Sequence, residues 1–326
     1  MKVKIDSNAY YLPENKENNE LLMLDNPDWD MSKIADKTGI HTRSIAFTHQ
    51  TAVDLAFEAG NMLLEDSAHA EDIDLVVLVT QSPDYVLPTS ACILQDRLGL
   101  SKKCMAFDVN LGCSGFVYAL SIVGSLIESG VAKKGLILCS ETYSKYIDKA
   151  DRTCRPLFSD GASATLLVPS EIDSLGPFVL GTDGSGYDKL IVRKGGAREP
   201  HISTNASHGK LEMRGADVFL FTLNTVPVCI TELLEKSNLD VKDIDLFVFH
   251  QASQLVLENI IRAMSLNEEK VFINLKDTGN TVSATIPIAL KDAENQGRLI
   301  NGDRIMLVGF GVGLSWGATI MTWTGS

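Results

Sequence analysis

Three residues of this chain carry chemistry that a single site can combine: Cys113, His250 and Asn280. Cysteine attacks as a thiolate, and a helix N-terminus lowers the thiol pKa through its unpaired N–H groups and partial positive charge. Cys113 lies in Asn110-Leu111-Gly112-Cys113-Ser114-Gly115, directly before a run with helical spacing, among small neighbours that leave room for a substrate. His250, followed by Gln251, ends the apolar run Leu246-Phe247-Val248-Phe249, and Asn280 lies in Gly279-Asn280-Thr281. Each also has an ordinary reading: a buried structural thiol, a hydrogen-bonded histidine, and a turn or helix cap. Gly309-Phe310-Gly311-Val312-Gly313 lacks the Lys-Ser/Thr of a P-loop and the spacing of a dinucleotide fingerprint, so it reads as a tight turn lining a site.

The elements that must position these residues follow from apolar periodicity. Leu75–Val79, Leu136–Leu138 and Met306–Val308 read as buried strands, and 53–64 and 116–127 carry helical spacing. Strand runs alternating with helix-length segments predict an α/β layered fold. An internal echo adds a duplication. Glu71-Asp72-Ile73-Asp74-Leu75-Val76-Val77 returns as Lys242-Asp243-Ile244-Asp245-Leu246-Phe247-Val248, 171 positions on from Asp72 to Asp243. Gly135–Leu138 returns as Arg304–Leu307 at nearly the same offset, 169. In the first half Ala106-Phe107-Asp108-Val109 precedes the cysteine loop; in the second, Val271-Phe272-Ile273-Asn274 precedes the asparagine loop. Cys113, His250 and Asn280 thus fall at strand ends and helix starts, where α/β folds place their sites.

The composition, with 326 residues, 45% hydrophobic and 22% charged, is that of a globular chain with a large core or two packed halves. No run of about 18 apolar residues suggests a membrane span, and the N-terminus lacks the apolar segment of a signal peptide; the expected location is cytoplasmic. A formal net charge of −13 argues against general nucleic-acid binding. The six cysteines, at 92, 104, 113, 139, 154 and 229, show no C-x-x-C spacing and read as free thiols.

Taken together, seven segments in order resemble the β-ketoacyl-ACP synthase III family of the thiolase superfamily. They are Thr38-Gly39-Ile40, Leu87-Pro88-Thr89-Ser90-Ala91-Cys92, the block from Phe107 to Tyr118, Phe158-Ser159-Asp160-Gly161-Ala162, His250-Gln251-Ala252, Gly279-Asn280-Thr281 and the run from Gly309 to Gly317. They cover nearly the whole chain. The resemblance implies a thiolase-like α-β-α-β-α arrangement of two halves, 1–175 with the cysteine and 176–326 with the histidine and asparagine. It implies a Cys113-His250-Asn280 triad: Cys113 takes an acyl group from a primer thioester, and His250 and Asn280 donate to the thioester carbonyl of a malonyl extender as carbon dioxide leaves. Backbone N–H groups of Cys113 and Val312 form the oxyanion hole. No metal or redox cofactor is implied. The substrates are coenzyme A or acyl-carrier-protein thioesters, and the assembly is a homodimer paired through the strand near Phe107.

Four further positions follow from the resemblance: Leu87, matching a primer-limiting residue at the dimer interface; Trp29 and Lys37, matching nucleotide contacts; and Arg262, a remaining basic residue near the entrance. The chain also departs from the family. Val312 stands where many members have glycine, and a positive φ there would cost about 1 kcal/mol or more. Leu220 and Leu255 replace basic docking positions, and the segment before Thr38-Gly39-Ile40 is longer than usual. These changes place a specialised acylation pathway beside fatty-acid synthesis as the setting. Two alternatives have other outcomes: acyl transfer to oxygen or nitrogen without condensation, and a non-catalytic partner subunit.

Overall fold

Leu75–Val79 is buried along its whole length, so it has no solvent face on which polar residues would alternate. That is the signature of a parallel strand covered on both sides. The computed structural model describes residues 1–66, 72–200 and 209–325. From the N-terminus come β1 (Val3–Tyr11), β2 (Lys16–Asn18), α1 (Asn19–Asp25), α2 (Met31–Thr38), β3 (Thr42–Ser44), α3 (Ala52–Asp66) and β4 (Leu75–Val79). Next are α4 (Ser90–Arg97), β5 (Met105–Val109), α5 (Gly115–Glu128), β6 (Gly135–Glu141), β7 (Gly161–Pro169), β8 (Leu175–Thr182), β9 (Leu190–Val192) and β10 (Leu211–Met213). The remainder comprises α6 (Gly215–Ser237), β11 (Leu246–Phe249), α7 (Gln254–Met264), α8 (Leu275–Thr278), α9 (Thr285–Asn295), β12 (Arg304–Gly311) and β13 (Ser315–Thr322).

Two large sheets repeat one topology. The first has the order β1-β7-β6-β4-β5 and the second β8-β13-β12-β11. In both, a parallel pair (β4 with β6, β11 with β12) is followed on one side by two antiparallel strands. The echoed Asp-Ile-Asp has a structural reason. Ile73 and Ile244 are buried, while Asp74 accepts from the backbone N–H groups of Lys133 and Lys134 before β6, and Asp245 accepts from that of Arg304 at the start of β12. Each second aspartate pins the neighbouring parallel strand in register.

The second half lacks one strand. Val271–Asn274 makes a single parallel bridge, Phe247 to Val271, where β5 runs for five residues beside β4. Beyond that bridge the chain leaves the sheet and leads through α8 to the asparagine loop.

The layers are helix, sheet, helix, sheet, helix. α5 and α9 lie between the sheets, sharing a core that includes Phe116, Leu120, Val248, Ile286, Ile288 and Leu307. α3 and α4 cover the outer face of the first sheet, and α6 and α7 that of the second. This is the thiolase-like α/β fold. Helix α6, at 23 residues, is long and apolar enough to cross a bilayer by length and composition, unlike the expectation from the sequence. Its stripe of Val226, Cys229, Ile230, Leu233 and Leu234 is instead packed on the second sheet.

Candidate active site

Cys113, His250 and Asn280 line one cavity of about 380 Å³, with an almost wholly apolar wall that includes Leu157, Phe158, Leu190, Met213, Phe219 and Val256. All three are buried, none exposing more than 4% of its surface. They come from three different elements. Cys113 precedes α5, with Ser114 at the helix N-cap. His250 directly follows β11, and its N–H continues the parallel ladder by donating to the Val308 carbonyl at 2.8 Å. Asn280 follows α8 and is held by its N–H to the Leu157 carbonyl at 3.0 Å.

The glycine motif is explained by close approach rather than by a turn alone. Gly309 and Gly311 lie on β12, which passes directly over the cysteine loop. A Cβ at Gly311 would lie 2.8 Å from both Cβ and Sγ of Cys113, and one at Gly309 would lie 2.8 Å from the Cys113 carbonyl oxygen. Val312 is not among the positive-φ residues; Gly311 and Gly313 take those conformations, at 154° and 141°. The strain expected at Val312 is therefore absent, and its N–H donates to the Cys113 sulfur.

The thiol is not held as a thiolate at rest. Burial pushes it up to about 12, opposed by the N–H groups of Val312 and of Cys113 itself and reinforced by nearby Glu141. The helix start expected to lower the thiol pKa is present, but the dry wall outweighs it. Burial acts in the other direction on His250, pulling the imidazole down to about 3, so the ring is neutral. His250 Nδ1 lies 2.7 Å from Thr285 Oγ1, and the ring packs edge-on against Phe310 at 5.6 Å.

Strain sits at Val282 instead. It has φ of 56°, a conformation that β-branched residues adopt only under constraint. Its N–H donates to Asn280 Oδ1 at 2.9 Å, and its carbonyl oxygen lies 3.0 Å from Thr285 Oγ1. Asn280 Nδ2 donates to the Ala252 carbonyl at 3.3 Å, which leaves its second N–H for the cavity. One strained peptide therefore orients the carboxamide directly and the imidazole through Thr285.

Leu87, Trp29, Lys37 and Arg262 are not brought to the wall of this cavity in the single chain. Leu87 is 79% exposed on the loop before α4, Lys37 is exposed, and Trp29 is half-buried before α2. Arg262 lines a separate surface groove with Gln254, Glu258 and Ser265. Leu255 does line the cavity, at 41% exposure, and Leu220 projects from the same end of α6 at 56%. Thr285, Val282 and Glu141 escaped the sequence reading. Only Glu141 left a signal: one carboxylate ending an otherwise apolar strand.

Two models of the 3-oxoacyl-[acyl-carrier-protein (ACP)] synthase III family match the chain, one over residues 107–184 and its C-terminal counterpart over residues 234–323. The chain is 40% identical over 317 residues to a β-ketoacyl-[acyl-carrier-protein] synthase III of Clostridium perfringens, covering 95% of this chain and 96% of that protein. It is 38% identical over 320 residues to the protein of the same description from Clostridioides difficile, covering 96% of each. A crystal structure of a 3-oxoacyl-(acyl-carrier-protein) synthase III superposes with a TM-score of 0.95 at 43% identity, covering 99% of this chain and 100% of that one.

Proposed function

The chain belongs to the 3-oxoacyl-[acyl-carrier-protein] synthase III family, and from that premise we propose that it joins an acyl group held on Cys113 to a malonyl thioester with loss of carbon dioxide. The observation that carries the reading is the meeting of a thiol, a neutral imidazole and a carboxamide in one apolar cavity.

In the first half-reaction the Cys113 sulfur attacks the carbonyl carbon of an acyl thioester. A C–S bond forms, the bond to the departing thiol breaks, and the proton lost from Cys113 ends on that thiol. The N–H groups of Cys113 and Val312, which converge on the sulfur at rest, serve as the oxyanion hole. Fixed donors in an apolar cavity stabilise such a charge more than water does. In the second half-reaction the malonyl C–CO2 bond breaks and its electron pair becomes an enolate. Asn280 Nδ2 and His250 Nε2 donate to the enolate oxygen. The carbanion then attacks the acyl-Cys113 carbonyl, the new C–C bond forms, and the sulfur leaves and regains a proton.

The assignment of 1–175 and 176–326 as the two halves is supported by the repeated strand order. A homodimer is supported by β5, which ends the first sheet with its outer edge unpaired among the described residues, and by the neighbouring apolar loop Tyr85-Val86-Leu87, of which Val86 is 92% exposed. Leu87 is assigned to the primer end of the partner's site. Trp29, Lys37 and Arg262 are assigned to the approach path of the thioester donor, coenzyme A or acyl carrier protein. Incubation with an acyl thioester should add one acyl mass to the intact chain, lost in C113A. Addition of malonyl thioester should then release carbon dioxide and a β-ketoacyl product. Acylation without carbon dioxide release would assign simple acyl transfer instead, and no acyl mass at all would assign a non-catalytic subunit.

A further inference from the structure

Glu141 ends β6 with its side chain fully buried, and among the described residues it forms no ion pair. Its carboxyl is instead enclosed by hydrogen bonds from two parts of the fold. From the loop after β4, Ser82 Oγ lies at 2.8 Å, the Gln81 N–H at 3.1 Å from both oxygens, and Thr80 Oγ1 at 3.5 Å. From the other half of the chain, Ser283 Oγ approaches at 3.4 Å. Gln81 also stands beside the cysteine loop, where a Cβ on Gly112 would meet its Oε1 at 2.6 Å. Ser283 directly follows Val282, the strained residue that holds Asn280 and, through Thr285, His250. The carboxyl therefore joins the cysteine side of the site to its imidazole and carboxamide side.

The titratable groups that face it are Cys113 before α5, Cys139 on β6 itself, and Tyr143 and Tyr146 beyond the strand end. The loop after β4 and the Ser283 turn contribute no titratable group to this contact. Every facing group is neutral or becomes negative on titration, and among the described residues no cation offsets a charge on Glu141. A buried carboxylate without a cation is costly, so the protonated form is favoured.

We propose that Glu141 is a positioning residue for condensation: uncharged, it ties the strand ends beneath Cys113 to the turn that orients Asn280 and His250, and ionised, it opposes the negative charge that the reaction creates. Its acidity agrees with this, since burial raises the carboxyl to about 8. The inference rests on the condensing function proposed above and assigns a role in it to a residue outside the triad.

The test follows acyl loading of Cys113 by intact mass and condensation by carbon dioxide release, from pH 6.5 to 9.5, in the parent, E141Q and S283A. In the parent, carbon dioxide release should fall above about pH 8, approaching tenfold per pH unit. E141Q cannot ionise, so its rate should stay level over the same range. S283A keeps the carboxyl but cuts the tie, and should slow condensation about tenfold or more while acyl loading is little changed. A parent that loads acyl groups but releases no carbon dioxide overturns the condensing function itself. A parent that condenses, with E141Q showing the same alkaline fall, overturns this inference alone. If E141Q does not fold, S283A decides: equal effects on both steps, or on neither, refute the positioning role.

Discussion

A neutral imidazole carries one proton on two nitrogens, so the donor role of His250 depends on which nitrogen Thr285 engages. The Thr285 hydroxyl has a single proton to give, either to His250 Nδ1 at 2.7 Å or to the Val282 carbonyl at 3.0 Å. Giving it to Nδ1 places the ring proton on Nε2, the nitrogen left for the cavity. T285V removes that hydroxyl, and the ring proton is then expected to turn toward Val282, leaving Nε2 without a hydrogen. Condensation should fall by on the order of a hundredfold, the effect of losing one donor to a developing oxyanion, with Cys113 loading retained and T285S close to the parent. A second prediction concerns acid. His250 is lowered from 6.5 to about 3 by burial, so the folded chain binds fewer protons than the unfolded one between those values. The sign is then fixed: this contribution is intact above pH 6.5 and is lost as pH falls toward 3, by about 1.4 kcal/mol per unit. Subtracting the urea-unfolding profile of H250Q from that of the parent should expose this slope, because the carboxylates common to both cancel.

At the scale of elements, the site depends on how closely β12 passes the cysteine loop. G311A would place a methyl group 2.8 Å from the sulfur on a backbone with φ of 154°. β12 or the loop must shift, at a cost of about 1–3 kcal/mol, and acyl loading should drop sharply while thermal unfolding shows a still cooperative fold. Apolar runs disclosed most of the elements: Leu75–Val79 and Leu246–Phe249 are strands with the ends read from the sequence, and 53–64 and 116–127 lie within α3 and α5. Val271–Asn274, the counterpart of Ala106–Val109 in the repeat, does not form the counterpart of β5. In the second half no full ladder forms there, and one bridge to Phe247 is all that results. The length of α6 was hidden, because Thr222, Asn224, Thr225 and Pro227 divide its apolar residues into shorter runs although the helix continues through them.

For the whole molecule, the proposed dimer makes the outer edge of β5 and the Tyr85-Val86-Leu87 loop an interface. A free edge with exposed apolar neighbours is otherwise a liability for uncontrolled pairing. V86E would set two carboxylates against the two-fold interface, and the pair should weaken by at least on the order of tenfold. Sedimentation velocity tests this: the parent should run at twice the 35.5 kDa chain mass and V86E should shift toward one chain at low protein concentration. The same variant should lose condensation with longer primers first if Leu87 closes the partner's pocket. The net charge of −13 adds a further expectation, that any acidic carrier protein docks more slowly at low salt than a neutral thioester of the same acyl group.

What the residues alone determined is the chemistry and the plan: a nucleophilic sulfur, an imidazole and a carboxamide at comparable points of a repeated α/β pattern, within motifs of one family. Local order in the chain suffices for this, because periodicity and short motifs are local properties. Only the tertiary structure decided which groups control the three. Val282 and Thr285 act through a strained turn that folds back on Asn280 and reaches His250, 35 positions away, and Glu141 acts through a contact between the halves, the Ser283 to Glu141 bond that spans 142 positions. The state of the site was also decided there. A thiol held at rest and a neutral imidazole follow from the exclusion of water by a wall assembled from distant segments, and no local pattern specifies a dielectric.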